Sequence, residues 1–128
     1  MKREYKYRGK RVDNGEWVKG YLVPNNRKKY RGEDNNFVIM TDIISPHRVV
    51  CETIGQSSGI NDGKGQRIYE GDIVRWVDSD GNRRTDTVTW KNGGLVLCNS
   101  QYTVGAYIDK WLVVIGNIHD NPELKKYI

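Results

Sequence analysis

Residues 51–76 read CETIGQSSGINDGKGQRIYEGDIVRW, and this segment constrains the fold more than any other part of the chain. It contains two strand-like stretches, Thr53-Ile54 and residues 69–74. Between them lies a loop with four glycines, Gly55, Gly59, Gly63 and Gly65. Glycine adopts backbone conformations that other residues avoid. We therefore predict an extended loop that connects a strand to a second β region.

The same loop invites comparison with a phosphate-binding loop, because it contains Gly59, Gly63 and Lys64 in sequence. The spacing is one residue too short, and Gly65 occupies the place of the hydroxyl residue that binds magnesium. No strong helix-forming segment follows to direct a helix N-terminus at an anion. We predict a structural loop with no cofactor.

Turn signals divide the rest of the chain into short strands. Four dipeptides favour hairpin turns: Asn14-Gly15, Asp62-Gly63, Asp80-Gly81 and Asn92-Gly93. They predict an N-terminal hairpin of residues 4–12 with 16–23, and a meander of residues 72–77, 83–90 and 94–99. Short strands about ten residues apart are typical of small β folds. We predict a mainly β protein with a small SH3-like barrel or pseudobarrel and an N-terminal β-hairpin.

Further strands are predicted at residues 37–41 and 48–54. Residues 111–118 form the most apolar run and predict a central, covered strand. Asn121-Pro122-Glu123 offers a capping residue, a proline and an acid, which predict one short C-terminal helix over residues 122–126. Residues 1–128 are expected to form a single domain, divided into an N-terminal hairpin region (1–50) and a central loop and barrel (51–128).

Positive charge is concentrated in the N-terminal third. Residues 1–34 contain eleven Lys and Arg against five Asp and Glu, whereas the remainder contains ten against eleven. A basic segment attracts polyanions, and nearby Tyr7 and Trp17 offer rings on which bases stack. A solvated basic surface is the alternative interpretation. The candidate nucleic-acid-binding residues are Arg8, Lys10, Arg11, Lys28, Lys29 and Arg31.

Metal and catalytic patterns are weak. Asp78-Ser79-Asp80-Gly81 places its glycine too early for a calcium loop, and the Cys and His residues form no tight zinc-binding pair. A nucleophile would need an adjacent base, and Glu70 with Asp72 fits a strand as well as an acid pair. We predict no metal site and no enzymatic activity. Cys51 and Cys98 lie beside apolar residues and are expected to be buried thiols.

The chain offers no membrane signal. No apolar stretch approaches the ~18 residues of a membrane span, and residues 1–5 begin no apolar signal segment. We expect a cytoplasmic protein.

Three sequence blocks resemble the YopX family, small proteins of bacteriophages and prophages. They are YRGKRVDNGEWV at residues 7–18, TIGQ, GIND and IYEGDIV within residues 53–74, and VIGNIHDNPEL at residues 114–124. The resemblance implies a phage-encoded protein of the host cytoplasm with a mainly β fold. It implies no activity, so it assigns no site residues.

Two functions are therefore compatible with the sequence. The first is a non-catalytic binding or assembly module whose partner is a phage or host protein or a second copy of the chain, forming a homo-oligomer. The alternative is a small β-barrel that binds nucleic acid. No membrane partner is expected.

Overall fold

The computed structural model describes residues 6–24, 37–41, 45–91, 94–98 and 112–128. The chain divides into two compact units, unit 1 (Met1–Ser57) and unit 2 (Ser58–Ile128). The predicted mainly β fold is confirmed, since ten strands and two short 3₁₀ helices account for most of the described residues. The strands described here form open antiparallel sheets and no closed barrel. The SH3-like arrangement stays a prediction.

Unit 1 contains a sheet whose strands lie in the order β4-β3-β2-β1-β5. The strands are β1 (Tyr7–Lys10), β2 (Trp17–Pro24), β3 (Phe37–Met40), β4 (Pro46–Arg48) and β5 (Gly55–Asn61), whose last residues belong to unit 2. The predicted N-terminal hairpin is present, with Lys10 paired to Trp17. Its loop is longer than the two-residue turn predicted, and Gly15 (φ 71°) supplies the positive φ.

Two glycines let the strands of unit 1 approach closely. A Cβ atom at Gly20 would lie 2.2 Å from the carbonyl oxygen of Met40, and one at Gly9 would lie 3.0 Å from the Cβ of Val49. Ile39 and Val49, which adjoin these glycines, are completely buried. The small core of unit 1 therefore depends on the absence of side chains at two strand positions.

Two predictions in unit 1 are wrong. Residues 48–54 were expected to form a strand, but the chain forms β4 and then a 3₁₀ helix, Cys51–Thr53. The Thr53 hydroxyl donates to the carbonyl of Val50 (2.6 Å) and accepts from the Lys10 N–H (2.8 Å), and such local bonds compete with strand pairing. The glycine-rich loop was expected from Gly55 onward, yet this stretch is β5.

The pairing of β5 explains its conformation. Tyr7 pairs with Gln56 and Arg8 with Gly55, so β5 satisfies backbone groups along the free edge of β1. Backbone donors and acceptors that leave water need such partners. The requirement outweighs the low strand propensity of glycine.

Unit 2 contains a four-stranded sheet in the order β10-β7-β8-β9, while β6 lies beside β5. Its strands are β6 (Arg67–Tyr69), β7 (Asp72–Val77), β8 (Arg83–Lys91), β9 (Gly94–Leu97) and β10 (Val113–Asn117). The predicted meander is confirmed: β7 pairs with β8 across a turn that contains Gly81 (φ 83°), and β8 pairs with β9. Asn92-Gly93 lies outside the described residues.

The core of unit 2 comes from one face of this meander. Alternate residues of β7, Val74 and Trp76, pack with Val88 of β8 and with Leu95 and Leu97 of β9. Ile68 and Leu112 complete the buried cluster. Period-two alternation places these side chains on one side of the sheet, where burial of apolar area stabilises the fold.

Residues 111–118 were predicted to form a central, covered strand; a strand is present, but the predicted full burial is wrong. β10 pairs only with β7 among the described strands, all five of its residues are half-buried, and its register shifts between Val114 and Gly116. The chain then turns back, because Asn121 Oδ1 accepts the Asn117 N–H (3.1 Å). A 3₁₀ helix, Pro122–Tyr127, follows without a side-chain capping bond from Asn121.

Candidate functional site

The N-terminal cations of the predicted nucleic-acid surface contact their own hairpin. The Arg8 guanidinium lies 4.8 Å from the centre of the Trp17 ring, and Lys10 Nζ lies 5.6 Å from it. Strand pairing brings them together, since Lys10 lies opposite Trp17 and Arg8 lies opposite Lys19. Arg8 is only 8% exposed. These cation–π contacts stabilise the hairpin and engage the ring that was expected to stack on bases.

Arg11 is also engaged within the chain. Its guanidinium forms a two-point ion pair with Asp13, with Nε–Oδ1 at 2.9 Å and Nη2–Oδ2 at 2.6 Å. The hydrogen bond from Arg11 lowers the pKa of Asp13 and raises that of Arg11. Lys28, Lys29 and Arg31 lie outside the described residues. The predicted surface as a whole stays a prediction.

One face of unit 1 carries exposed apolar side chains. Tyr21 and Val23 lie two residues apart on β2 and are 52% and 39% exposed. Their partners across β3, Met40 and Val38, share this face and are half-buried. We name these four residues the β2–β3 face.

The turn after β5 is held by an internal carboxylate. Asp62 is 6% exposed; its Oδ1 accepts the N–H groups of Lys64 and Gln66, both at 2.9 Å. Its Oδ2 accepts the Val114 N–H at 2.9 Å. The sequence predicted a structural role for this loop, and these bonds give Asp62 such a role.

The acid pair considered from sequence also contains a structural carboxylate. Asp72 is 1% exposed, and its Oδ2 accepts the Tyr69 N–H at 2.7 Å. The bond closes the tight turn through Gly71 (φ 93°) that leads into β7. Asp72 therefore positions backbone at a turn, as a buried acceptor commonly does.

The histidines and cysteines lie apart from any described metal-binding group. His47 Nε2 lies 3.5 Å from Thr41 Oγ1, and the His119 N–H donates to Asn117 Oδ1. No three His, Cys, Asp or Glu side chains form a metal-binding cluster within the residues that the structure describes. The prediction of two buried thiols is wrong: Cys51 is half-buried, and Cys98, which follows the last buried residue of β9, is exposed.

A groove of ≈ 810 Å³ lies in unit 2 between the β7–β8 hairpin and the C-terminal 3₁₀ helix. Arg75 and Arg83 lie on the same face of the hairpin, because Arg75 pairs with Thr85 and Val77 pairs with Arg83. Tyr127 projects from the helix side and is 56% exposed. The described lining also includes Trp76, Asp78, Ser79, Asp80, Arg84, Thr85, Asp86 and Ile128.

Of the three aspartates in the described lining, two are engaged within the chain. Asp78 Oδ1 accepts the N–H groups of Asn82 and Asp80, and Asp78 Oδ2 pairs with Arg84 Nε at 2.9 Å. These bonds lower the pKa of Asp78, the Asn82 N–H contributing most. Asp86 is 2% exposed and accepts the Thr87 N–H. Asp80 is exposed at the turn.

The two arginines differ from these carboxylates. Arg75 and Arg83 are exposed, and neither forms a side-chain hydrogen bond or ion pair with any other residue in the described part of the chain. This pair is absent from the site residues predicted from the sequence. Because successive side chains of a strand point to opposite faces of the sheet, the sequence of β7 indicates that Arg75 faces away from buried Trp76. Tyr127, which lies 52 residues after Arg75, also lines the groove, and no local sequence signal indicates this.

The described part of the chain thus forms antiparallel sheets, and its accessible surfaces include the β2–β3 face and the groove. No helix in the described ranges has the length and apolar character needed to cross a membrane. The family model described as YopX protein matches residues 6–126, and the chain belongs to the YopX family.

A solved structure supports the fold. Protein EF1440 from Enterococcus faecalis is 20% identical to this chain, with a TM-score of 0.58 over 96% of this chain and 99% of that chain. At this identity the similarity shows a shared fold. A search of curated proteins found no match.

Proposed function

We propose that this YopX-family protein is a non-catalytic binding or assembly module that binds another protein, or a second copy of the chain, through the β2–β3 face. The observation that carries the proposal is the exposure of Tyr21 (52%) and Val23 (39%) side by side on one strand. Aromatic and aliphatic side chains that remain in water on one face are typical of protein-interaction surfaces. Tyrosine is also enriched among residues that dominate binding energy.

The surrounding sheet favours a firm binding platform. β2 pairs with strands on both sides, so Tyr21 and Val23 project from backbone that is fixed by β1 and β3. Close contact of β3 at Gly20 fixes the same segment from within. A side chain on a preorganised strand loses less conformational freedom on binding than one on a loop.

The resemblance to phage and prophage proteins supports two further proposals: that the chain is phage-encoded, and that it acts in the host cytoplasm. A small SH3-like pseudobarrel formed by unit 2 is also proposed, and the meander of β7, β8 and β9 supports it.

The test combines Tyr21→Ser with Val23→Ser and compares this double variant with Val77→Ser. Val77 is an equally exposed strand valine (44%) in unit 2. Light scattering of the purified protein measures self-association, and capture from host cells followed by reconstitution with the purified candidate measures partner binding. The double variant should weaken association about tenfold or more, whereas Val77→Ser should not.

Retention of wild-type affinity by the double variant would remove the β2–β3 face from the proposal. A partner captured equally by the wild type, the double variant and Val77→Ser would also argue against the β2–β3 face. Circular dichroism of each variant confirms that the comparison is made between folded proteins.

Nucleic-acid binding through Arg8, Lys10, Arg11, Lys28, Lys29 and Arg31 remains the alternative prediction. The contacts of Arg8 and Lys10 with Trp17 and of Arg11 with Asp13 give these residues structural roles. They favour the protein-binding proposal for unit 1.

A further inference from the structure

We propose that the groove of unit 2 is a binding site for single-stranded nucleic acid, with Arg75 and Arg83 binding phosphates and Tyr127 stacking on a base. This site is separate from the β2–β3 face and uses none of the six basic residues predicted from the N-terminal third. The groove is open and measures ≈ 810 Å³, which is large enough to hold a nucleotide within a longer strand.

The arginine pair supplies the anion-binding element. Arg75 lies on β7 and Arg83 lies diagonally across on β8, on the same face. Diagonal neighbours on paired strands are about 7–8 Å apart. Their planar guanidinium groups can therefore donate paired N–H hydrogen bonds to one phosphate or to two successive phosphates.

The placement of charges in the groove favours an anion. Asp78 already accepts two backbone N–H groups and pairs with Arg84, and Asp86 is buried. The side chains of Arg75 and Arg83 form no hydrogen bond or ion pair with other described residues. The described lining holds three arginines and three aspartates, of which Asp80 is the one exposed acid. Its preference for an anion therefore comes from the local position of Arg75 and Arg83, whose guanidinium groups are exposed, and not from a net positive charge.

Tyr127 distinguishes a nucleic acid from other anions. Its side chain is 56% exposed and lines the groove together with the arginines. Two cations contact the Trp17 ring, whereas one, Lys126 Nζ at 5.1 Å from the ring centre, contacts the Tyr127 ring, and more than half of the Tyr127 surface stays accessible to a base. A cation beside an exposed aromatic ring is the combination by which proteins bind single strands, the ring stacking on a base and the cation facing the backbone. A duplex has no unstacked base to offer, so the geometry favours a single strand.

Fluorescence anisotropy tests the site with the full chain and a labelled single-stranded oligothymidylate of about 12 nucleotides, a length within the range of single-strand sites. The charge variant is Arg75→Gln with Arg83→Gln. Its matched control is Lys64→Gln with Lys91→Gln, which removes the same charge from exposed positions of unit 2 outside the groove. The ring variants are Tyr127→Ala and Tyr127→Phe.

The charge variant should bind about 25-fold more weakly near 0.1 M salt, and the slope of log K against log salt should fall by about 1.4. Tyr127→Ala should weaken binding by roughly 5- to 150-fold, and Tyr127→Phe should restore it, because phenylalanine keeps the stacking surface. Asp80→Asn should tighten binding. The lysine control should differ from the wild type far less than the arginine variant does.

Four results would overturn the site: no binding of the oligomer by the wild type, equal loss in the arginine variant and the lysine control, tighter binding of a duplex, or equally tight binding of a mononucleotide. Loss of binding in Lys28→Glu with Lys29→Glu, while the groove variants bind normally, would place the interface in the N-terminal third instead. Tyr21→Ser with Val23→Ser should leave oligomer binding unchanged, which separates this test from that of the β2–β3 face.

Discussion

At the scale of single residues, the close approach of Met40 to Gly20 leads to a specific prediction. Alanine at this position would place its Cβ 2.2 Å from the backbone oxygen of Met40, and backbone moves less readily than a side chain. We expect Gly20→Ala to lower the free energy of unfolding by about 1–3 kcal/mol, as overpacked sites do. Urea denaturation measures the change.

Gly94 provides the matched control. It is also a strand glycine, yet a Cβ there meets no atom within 4 Å. Gly94→Ala should leave stability unchanged or raise it by up to about 1 kcal/mol, because alanine restricts the unfolded chain. Equal effects of the two substitutions would show that the close approach at Gly20 does not limit packing.

At the scale of elements, the β7–β8 hairpin depends on the ionised form of Asp78. Its pKa is lower in the folded protein than its ordinary value of 3.8. The stabilisation is therefore fully present above the unfolded pKa and is lost as the pH falls through the folded one. Denaturation at about pH 7 and pH 3, on either side of the ordinary value, should show the wild type losing more stability than Asp78→Asn.

Asp80→Asn is the control for this hairpin. The substitution removes a carboxylate from the same turn but keeps the Asp80 N–H that donates to Asp78. Its pH dependence should resemble that of the wild type. If Asp78→Asn and the wild type lose the same stability in acid, the hydrogen bonds to Asp78 do not contribute to the acid sensitivity.

Comparison of the strands shows which of them local sequence patterns can predict. Period-two alternation and Asp80-Gly81 predict the β7–β8 hairpin, because both signals lie within the strands that pair. The same signals fail for β10. Its apolar composition indicates burial, but its place at the end of the described sheet depends on which strands pair with β7, and that is a property of distant residues. The strand conformation of β5 has the same origin in its pairing with β1.

At the scale of the whole molecule, Asp62 joins parts of unit 2 that lie 52 residues apart through its bond to the Val114 N–H. Asp62→Ala removes an acceptor of three backbone N–H groups and should destabilise the protein by about 2–3 kcal/mol. Asp62→Asn, which keeps one acceptor oxygen, should have an intermediate effect. An alanine variant as stable as the wild type would show that water replaces the carboxylate without loss.

The candidate sites also differ in whether the sequence predicts them. The sequence located the N-terminal cations, and the structure places Arg8 and Lys10 against Trp17. It did not predict the groove, since Arg75, Arg83 and Tyr127 line one groove only after the chain has folded. Composition indicates that a surface is basic, whereas the availability of each cation depends on its neighbours.

The pairing of β7 with β10, a strand from much later in the chain, has a consequence during synthesis. β7 pairs with β8 soon after both leave the ribosome, but β10 begins 41 residues after β7 begins. At the usual rates of translation, roughly 2–8 s pass between the synthesis of β7 and that of β10, its second neighbour in the sheet. During that interval the free backbone groups of β7 are a template for pairing with other nascent chains. The charged side chain of Arg75, at the centre of β7, disfavours such intermolecular pairing before any ligand is present.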